Sequence, residues 1–289
     1  MPVQIRELDS KDFKGRFHYF YRDNGKDETI LLLSGFQDTG RGFYFQEEYL
    51  SSRFNLIAPD WRGHGDSPNL PEGWFYSSAM LLADFIQFTA EVAPEGYHIM
   101  AHSMGSALAA RHAGLVPGEI RSLVLLEGFS GRWPVDKEAD RMGEWVQKLR
   151  KERPPRDNPM SSIKAAEELL SRAHPRIPEE NRQVLARLWT DEKDGKFRWK
   201  HDPSLRNRML PVPFPPDLSR ELWRRIQCPV LFIYGKHSPL KPPEDQIQEI
   251  LSHFKDLKPV ELDSGHNPHQ EMPDTLQEVL EDFYSNLAL

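Results

Sequence analysis

Apolar positions along the chain follow two different periods. Phe17, Tyr19 and Tyr21 alternate with polar neighbours, the two-residue period of a half-exposed antiparallel edge strand. Ile30-Leu31-Leu32-Leu33 is apolar at every position and stops at Ser34-Gly35, which predicts a central parallel strand covered on both faces. Phe54-Asn55-Leu56-Ile57-Ala58-Pro59 has the same form and stops at Asp60-Trp61-Arg62-Gly63-His64-Gly65. A helical pattern near 77–93, a short strand Tyr97–Met100, an Ala-rich helix over 104–115 and a strand Leu123–Leu126 follow. This alternation predicts an α/β fold, a doubly wound and mostly parallel sheet.

From about 131 to 222 the sequence shifts to Arg, Pro, Glu and Trp. Amphipathic helical patches such as Met142/Trp145/Val146/Leu149 are separated by Arg153-Pro154-Pro155 and by the proline-rich stretch 211–216, and no buried-strand run occurs. Sheet-type sequence resumes at Pro229–Gly235, followed by a helix near 243–254, a strand Pro259–Leu262 and a helix near 274–287. The expected organisation is a core of residues 1–130 and 223–289, with 131–222 inserted as a helical lid (cap).

Composition narrows the function classes. The 24 prolines in 289 residues disfavour long helical bundles. A formal net charge of -7 gives no global field for nucleic acid or an anionic membrane, so neither is an expected partner. The single cysteine, Cys228, excludes an intrachain disulfide and any multi-cysteine metal site. A reducing, cytoplasmic setting fits that cysteine usage. The N-terminal MPVQIRELDS lacks a basic and then apolar leader, and the mean hydropathy of -0.63 argues against membrane spans.

The segment His98-Ile99-Met100-Ala101-His102-Ser103-Met104-Gly105-Ser106-Ala107 carries the clearest chemistry. A strand runs into a helix through Ser103, with small residues Ala101 and Gly105 two positions to either side. Such a turn holds the serine strained and exposes its hydroxyl at a helix N-terminus, where N–H groups favour an anion. An ordinary helix-capping serine is the alternative use of the same residue.

With that elbow, the chain resembles the α/β-hydrolase superfamily. The resemblance covers nearly the whole length through the Ser34-Gly35-Phe36 turn, the turn Trp61–Ser67, the elbow His102–Ser106, and Asp263-Ser264-Gly265-His266 before the last helix. Leu126-Glu127-Gly128-Phe129 and His201–Arg206 are also similar to the serine-hydrolase-like subgroup. The resemblance implies the α/β-hydrolase fold and places the loop of His266 beside the elbow, making His266 the expected base for Ser103, with His269 as fallback. His102, next to the nucleophile, is expected to point elsewhere.

The superfamily usually carries an Asp shortly after the strand ending Tyr234-Gly235, but this chain reads Lys236-His237-Ser238-Pro239. Glu127, at the end of the strand Leu123–Leu126, is where some hydrolases of this fold carry the acid, and it is the expected third member. Glu244 and Asp245 remain alternatives. The implied oxyanion donors are the backbone N–H groups of Met104 and Phe36. Family members usually have His in place of Ser34, which concerns the geometry of that loop. Gly35, Gly40 and Gly42 permit tight turns nearby, and Gly63-His64-Gly65 is expected as scaffold. Trp133, Trp145, Trp199 and Phe214 are candidate substrate-binding residues of the lid, with packing within the lid as the plainer alternative.

The expected function is a serine hydrolase, resembling carboxylesterases, acting without cofactor or metal on esters of small to medium apolar molecules through an acyl-serine. A serine at the elbow argues against chemistry that uses Asp as nucleophile on this fold. Two other classes remain open: C–C hydrolysis, lyase chemistry or cofactor-free oxygenation by a His/acid dyad, and a hydrolase-like binding protein without turnover.

Overall fold

The computed structural model describes residues 8–15, 17–93, 96–129, 135–151, 159–212 and 214–287. Strands β1 Asp9–Phe13, β2 Phe17–Arg22 and β3 Thr29–Leu33 open the fold. A 3-10 turn over Gly40–Gln46 leads to α1 Glu47–Ser51, β4 Asn55–Pro59, α2 Ser78–Val92, β5 Tyr97–His102, α3 Met104–Leu115 and β6 Ile120–Leu126. Then come α4 Val135–Arg150, α5 Ile163–Ala173, α6 Glu179–Leu188, β7 Thr190–Lys193, β8 Lys196–Trp199, α7 Leu205–Arg208 and α8 Pro216–Arg225. The chain closes with β9 Val230–Gly235, α9 Glu244–Leu251, β10 Leu257–Leu262, α10 Pro268–Glu271 and α11 Pro273–Ser285.

Eight strands form one sheet in the order β1-β2-β4-β3-β5-β6-β9-β10. Pairings from β4 to β10 are parallel, whereas β1–β2 and β2–β4 are antiparallel. The all-apolar run of β3 shows why the sheet is covered on both sides. Leu31 and Leu33 face one way, into a core with Leu81, Phe85 and Phe88 of α2 and Leu108 of α3. Ile30 and Leu32 face the other way, toward Leu50, Phe54, and Leu276, Leu280 and Tyr284 of α11. Successive strand residues point to opposite faces, so neither face is left to solvent.

Two expectations need correction. β2 is not the edge strand, because β1 pairs outside it with Asp9 opposite Tyr21. In β1 only Phe13 is buried, so its sequence shows no apolar alternation. The stretch 131–222 is not wholly helical either: β7 and β8 form an antiparallel hairpin with Asp194 and Gly195 at its tip, both at positive φ. An Asp-Gly pair is the favoured two-residue hairpin turn.

The helices of this stretch have their own apolar cluster, Met160, Ala166, Leu170, Ile177, Leu185, Ala186 and Trp189. The expected boundary at 222/223 falls inside α8, which packs on α3: a Cβ on Gly114 would lie 2.2 Å from the Leu222 carbonyl oxygen. Among the described residues, no helix is long and apolar enough to cross a membrane. Parallel strands bring Ser34-Gly35, Ser103, Glu127 and Gly235 to the same edge of the sheet, where ligands of open α/β sheets bind.

Candidate active site

Ser103 stands between β5 and α3 at φ 50°, ψ -113°, a sparsely populated conformation that needs support from its surroundings. Its N–H donates to the Leu126 carbonyl at 2.9 Å, and its own carbonyl accepts from Ala107 N at 3.1 Å. The turn is tight because α3 starts against β3. A Cβ on Gly105 would lie 2.4 Å from the Leu33 carbonyl oxygen, so only glycine fits there without backbone movement.

His266 Nε2 lies 2.9 Å from Ser103 Oγ, and His266 Nδ1 lies 3.0 Å from Glu127 Oε2. A carboxylate only accepts, so Nδ1 carries the ring proton and Nε2 presents its lone pair to the serine hydroxyl. That is the arrangement in which an imidazole takes a proton from a nucleophile. Glu127 is buried at the end of β6 with φ 61°. Its carboxylate also accepts from Gly235 N at 2.6 Å and from the Ser238 hydroxyl at 2.6 Å. Ser238, in the loop where the superfamily usually carries its acid, thus touches the acid that stands on β6. Glu244 and Asp245 are exposed at the start of α9, and Glu244 accepts from Gln248 at 3.1 Å. Of the carboxylates expected from sequence, Glu127 is the one that meets His266.

His102 does not simply point away. Its Nε2 donates to the His266 carbonyl at 2.8 Å, and the two rings lie 4.9 Å apart. His269, the fallback base, is fully buried in α10 with its ring 4.4 Å from that of His102. Burial pushes the His269 imidazole down to about 3, and burial also holds His102 well below the ordinary histidine value. Both are neutral near pH 7.

The loop of His266 is fixed by residues that sequence reasoning missed. Glu271 accepts from Gly265 N at 2.6 Å, Asn267 N at 3.1 Å and Arg176 Nε at 3.2 Å. From the segment after α5, Arg176 also donates to the Asp263 carbonyl at 2.6 Å, and Asn181 donates to the Gln270 carbonyl at 2.8 Å. The side chains of Asn267 and His174 meet at 3.1 Å. A signal for Glu271 existed: an acidic residue in the first turn of a helix with proline at its N-terminus.

Met104 is the first residue of α3, so its N–H has no acceptor within the helix. Phe36 follows Gly35, and a Cβ on Gly35 would lie 3.3 Å from Ser103 Cβ, which puts the Ser34-Gly35-Phe36 turn against the serine. Ser34 is buried; its carbonyl accepts from Trp61 Nε1 at 2.9 Å, and its hydroxyl has no hydrogen-bond partner among the described residues. His64 is fully buried and pushed down to about 4 by that burial, with Nδ1 3.1 Å from the Arg62 carbonyl. Gly40 N donates to Asp60 Oδ1 at 2.6 Å.

The aromatic candidates lie in separate settings. Trp145 donates to the Asn207 carbonyl at 2.9 Å and packs on Phe75. Trp199 packs against the apolar cluster of 160–189, and Phe214 lies under the Arg111 guanidinium at 4.5 Å. Trp133 lies outside the described residues. The stretch 200–210 is tied to the turn after β4: Asp202 N donates to the Gly63 carbonyl at 2.9 Å, and Tyr76 donates to Asp202 Oδ2 at 2.6 Å. Burial acts to raise the Asp202 carboxyl, but hydrogen bonds from Ser204 and Tyr76 outweigh it and hold the group below its ordinary value.

Known proteins resemble the chain along nearly its whole length. A serine hydrolase-like protein of Danio rerio is 24% identical over 266 residues, 88% of this chain and 80% of that one. A serine hydrolase-like protein of Dictyostelium discoideum is 27% identical over 275 residues, 88% of this chain and 74% of that one. Among solved structures, the thioesterase domain from the curacin biosynthetic pathway superposes with a TM-score of 0.78 at 24% identity, covering 95% of this chain and 98% of that one, a likeness of fold. The sequence profile of the Alpha/beta hydrolase family matches residues 30–279, and the chain belongs to that family.

Proposed function

We propose that the protein is a serine hydrolase that cleaves carboxylic esters of small to medium apolar molecules through an acyl-serine. The observation that carries this is the hydrogen-bonded line from Ser103 through His266 to Glu127, at 2.9 and 3.0 Å. Ser103 Oγ attacks the ester carbonyl while His266 Nε2 takes its proton, and Glu127 stabilises the imidazolium that forms. The backbone N–H groups of Met104 and Phe36 receive the developing oxyanion. His266 then protonates the leaving alkoxide, activates a water, and the acyl group departs as the acid. Phe36, which follows the Ser34-Gly35 turn, and Met104, which follows Ser103, are half-buried apolar residues, which supports an apolar acyl group. None of these steps calls for a cofactor.

The test is labelling with a fluorophosphonate, which reacts with an activated serine, followed by mapping of the modified peptide, alongside turnover of short-chain p-nitrophenyl esters. The expected result is one adduct, on Ser103, absent in Ser103→Ala and strongly reduced in His266→Ala, with ester turnover following the same pattern. Turnover that survives Ser103→Ala would transfer the chemistry to a His266/Glu127 dyad. Neither labelling nor turnover in a folded protein would make it a binding protein on a hydrolase fold.

A further inference from the structure

Beside the base, three buried side chains converge. Asp38 and His102 are 5% and 4% exposed and His269 is 0% exposed; one ligand atom from each lies within 4.8 Å of the others. The cluster has no role in the acyl-transfer steps above, and its polar atoms are poorly served. Neither ring nitrogen of His269 has a hydrogen-bond partner among the described residues, and neither has Nδ1 of His102. Around them, Gln46 donates to the His269 carbonyl at 3.0 Å and Gln270 donates to Asp38 at 3.4 Å, yet the side-chain carbonyl oxygens of both are also without a partner among the described residues. Buried polar atoms are nearly always satisfied, so five without a partner among the described residues mark a place suited to a polar ligand.

The protonation pattern identifies its chemistry. His102 Nε2 faces the His266 carbonyl, which only accepts, so that nitrogen carries the proton and Nδ1 is a bare lone pair. His269, neutral in either tautomer, has one bare ring nitrogen. Asp38 accepts from Thr39 N at 2.6 Å on Oδ1 and from Gln270 at 3.4 Å on Oδ2. Once Asp38 releases its proton, each of the three offers a lone pair toward one point, and a cation there takes up all three and balances the carboxylate. Two imidazoles and one carboxylate suit first-row transition cations, zinc among them. A point central to three atoms no more than 4.8 Å apart is at most about 2.8 Å from each. Closing to the usual ~2.0–2.2 Å needs shifts of under about 1 Å. The geometry points to a divalent transition-metal site formed by Asp38, His102 and His269.

Occupancy would act on catalysis through His102, whose other nitrogen holds the backbone of His266. A cation drawing the His102 ring toward Asp38 pulls on that hydrogen bond and displaces the base from Ser103. The site is therefore inhibitory. A second His/Asp grouping, His18–Asp60–Asp66, is already saturated: Asp60 accepts from Gly40 N at 2.6 Å, Asp66 N at 3.0 Å and His18 Nδ1 at 2.7 Å.

The test dialyses the protein against zinc chloride, desalts it and counts retained zinc by mass spectrometry. The expected result is about one zinc per chain in wild type and in Ser103→Ala, and none in Asp38→Asn or His269→Gln. Fluorophosphonate labelling of Ser103 should slow at least tenfold with zinc in wild type and be insensitive to zinc in Asp38→Asn. Because the zinc count does not depend on hydrolysis, it stands even if the esterase proposal fails. Crystals soaked in zinc give a decision independent of whether the variants fold: an anomalous peak among Asp38, His102 and His269 supports the site. No retained zinc, equal retention in the variants, a peak elsewhere, or only waters in the cluster would overturn it.

Discussion

Among the described residues, Glu127 is the carboxylate that meets His266, and its own two oxygens are held in turn by Gly235 N–H and the Ser238 hydroxyl. Glu127→Gln keeps the shape but offers His266 an amide, which can favour the wrong ring tautomer; ester turnover is expected to fall roughly 10³–10⁴-fold. Glu244→Gln and Asp245→Asn should change it little, since both residues are exposed at the head of α9. Ser238→Ala removes one hydrogen bond to a charged group, worth about 1.5 kcal/mol, and should lower kcat about tenfold. Steady-state kinetics on one chromogenic ester checks all four. Ser103 and His266 were legible because each sits in a motif. Glu127 was legible only through the acid missing from Lys236–Pro239. The part played by Ser238 was not, because its contact with Glu127 spans 111 residues and exists only once β6 and β9 pair.

At the scale of elements, the elbow depends on how closely α3 approaches β3. Gly105→Ala would put a methyl 2.4 Å from a backbone oxygen that cannot move without shifting β3. The expected cost is about 3 kcal/mol or more, in the range of severe overpacking, with loss of labelling at Ser103; urea denaturation measures the first. The loop of His266 has a comparable dependence on Glu271. In Glu271→Gln one carboxylate oxygen becomes an NH₂ that faces the N–H of Gly265 or Asn267. A displaced base should lower kcat by ten- to a hundredfold with KM nearly unchanged, a split that simple loss of stability would not produce. Strands buried on both faces were readable as apolar runs. β1 was not, having one buried residue, and β7–β8 were masked by exposed charges despite the Asp-Gly pair at their turn.

For the molecule as a whole, buried neutral histidines set the response to acid. Burial pushes His64 and His112 down to about 4, against about 6.5 in an unfolded chain. Below pH 6.5 the unfolded chain takes up these protons and the folded one does not, so stability falls as pH drops toward 4, by about 1.4 kcal/mol per pH unit for each histidine. Asp38 acts in the opposite sense, because burial raises it to about 8 and its protonated form favours the fold as pH falls from 8 toward 4. With His269 and His102 included, four histidines oppose the Asp38 carboxyl, and a net loss is expected. Urea titrations at pH 6.5 and 4.5 should show it. His112→Gln, which keeps an acceptor for the Tyr97 hydroxyl, should lose roughly 2–3 kcal/mol less than wild type between those two values.

Placing the acid on β6 has a consequence for the stretch between β9 and α9. Among the described residues, Ser238 ties that stretch to His266's partner, and Leu240 beyond it is 41% exposed. A tag, a reporter domain or a protease cleavage sequence could be spliced in after Leu240 while every group that touches the ester stays in place.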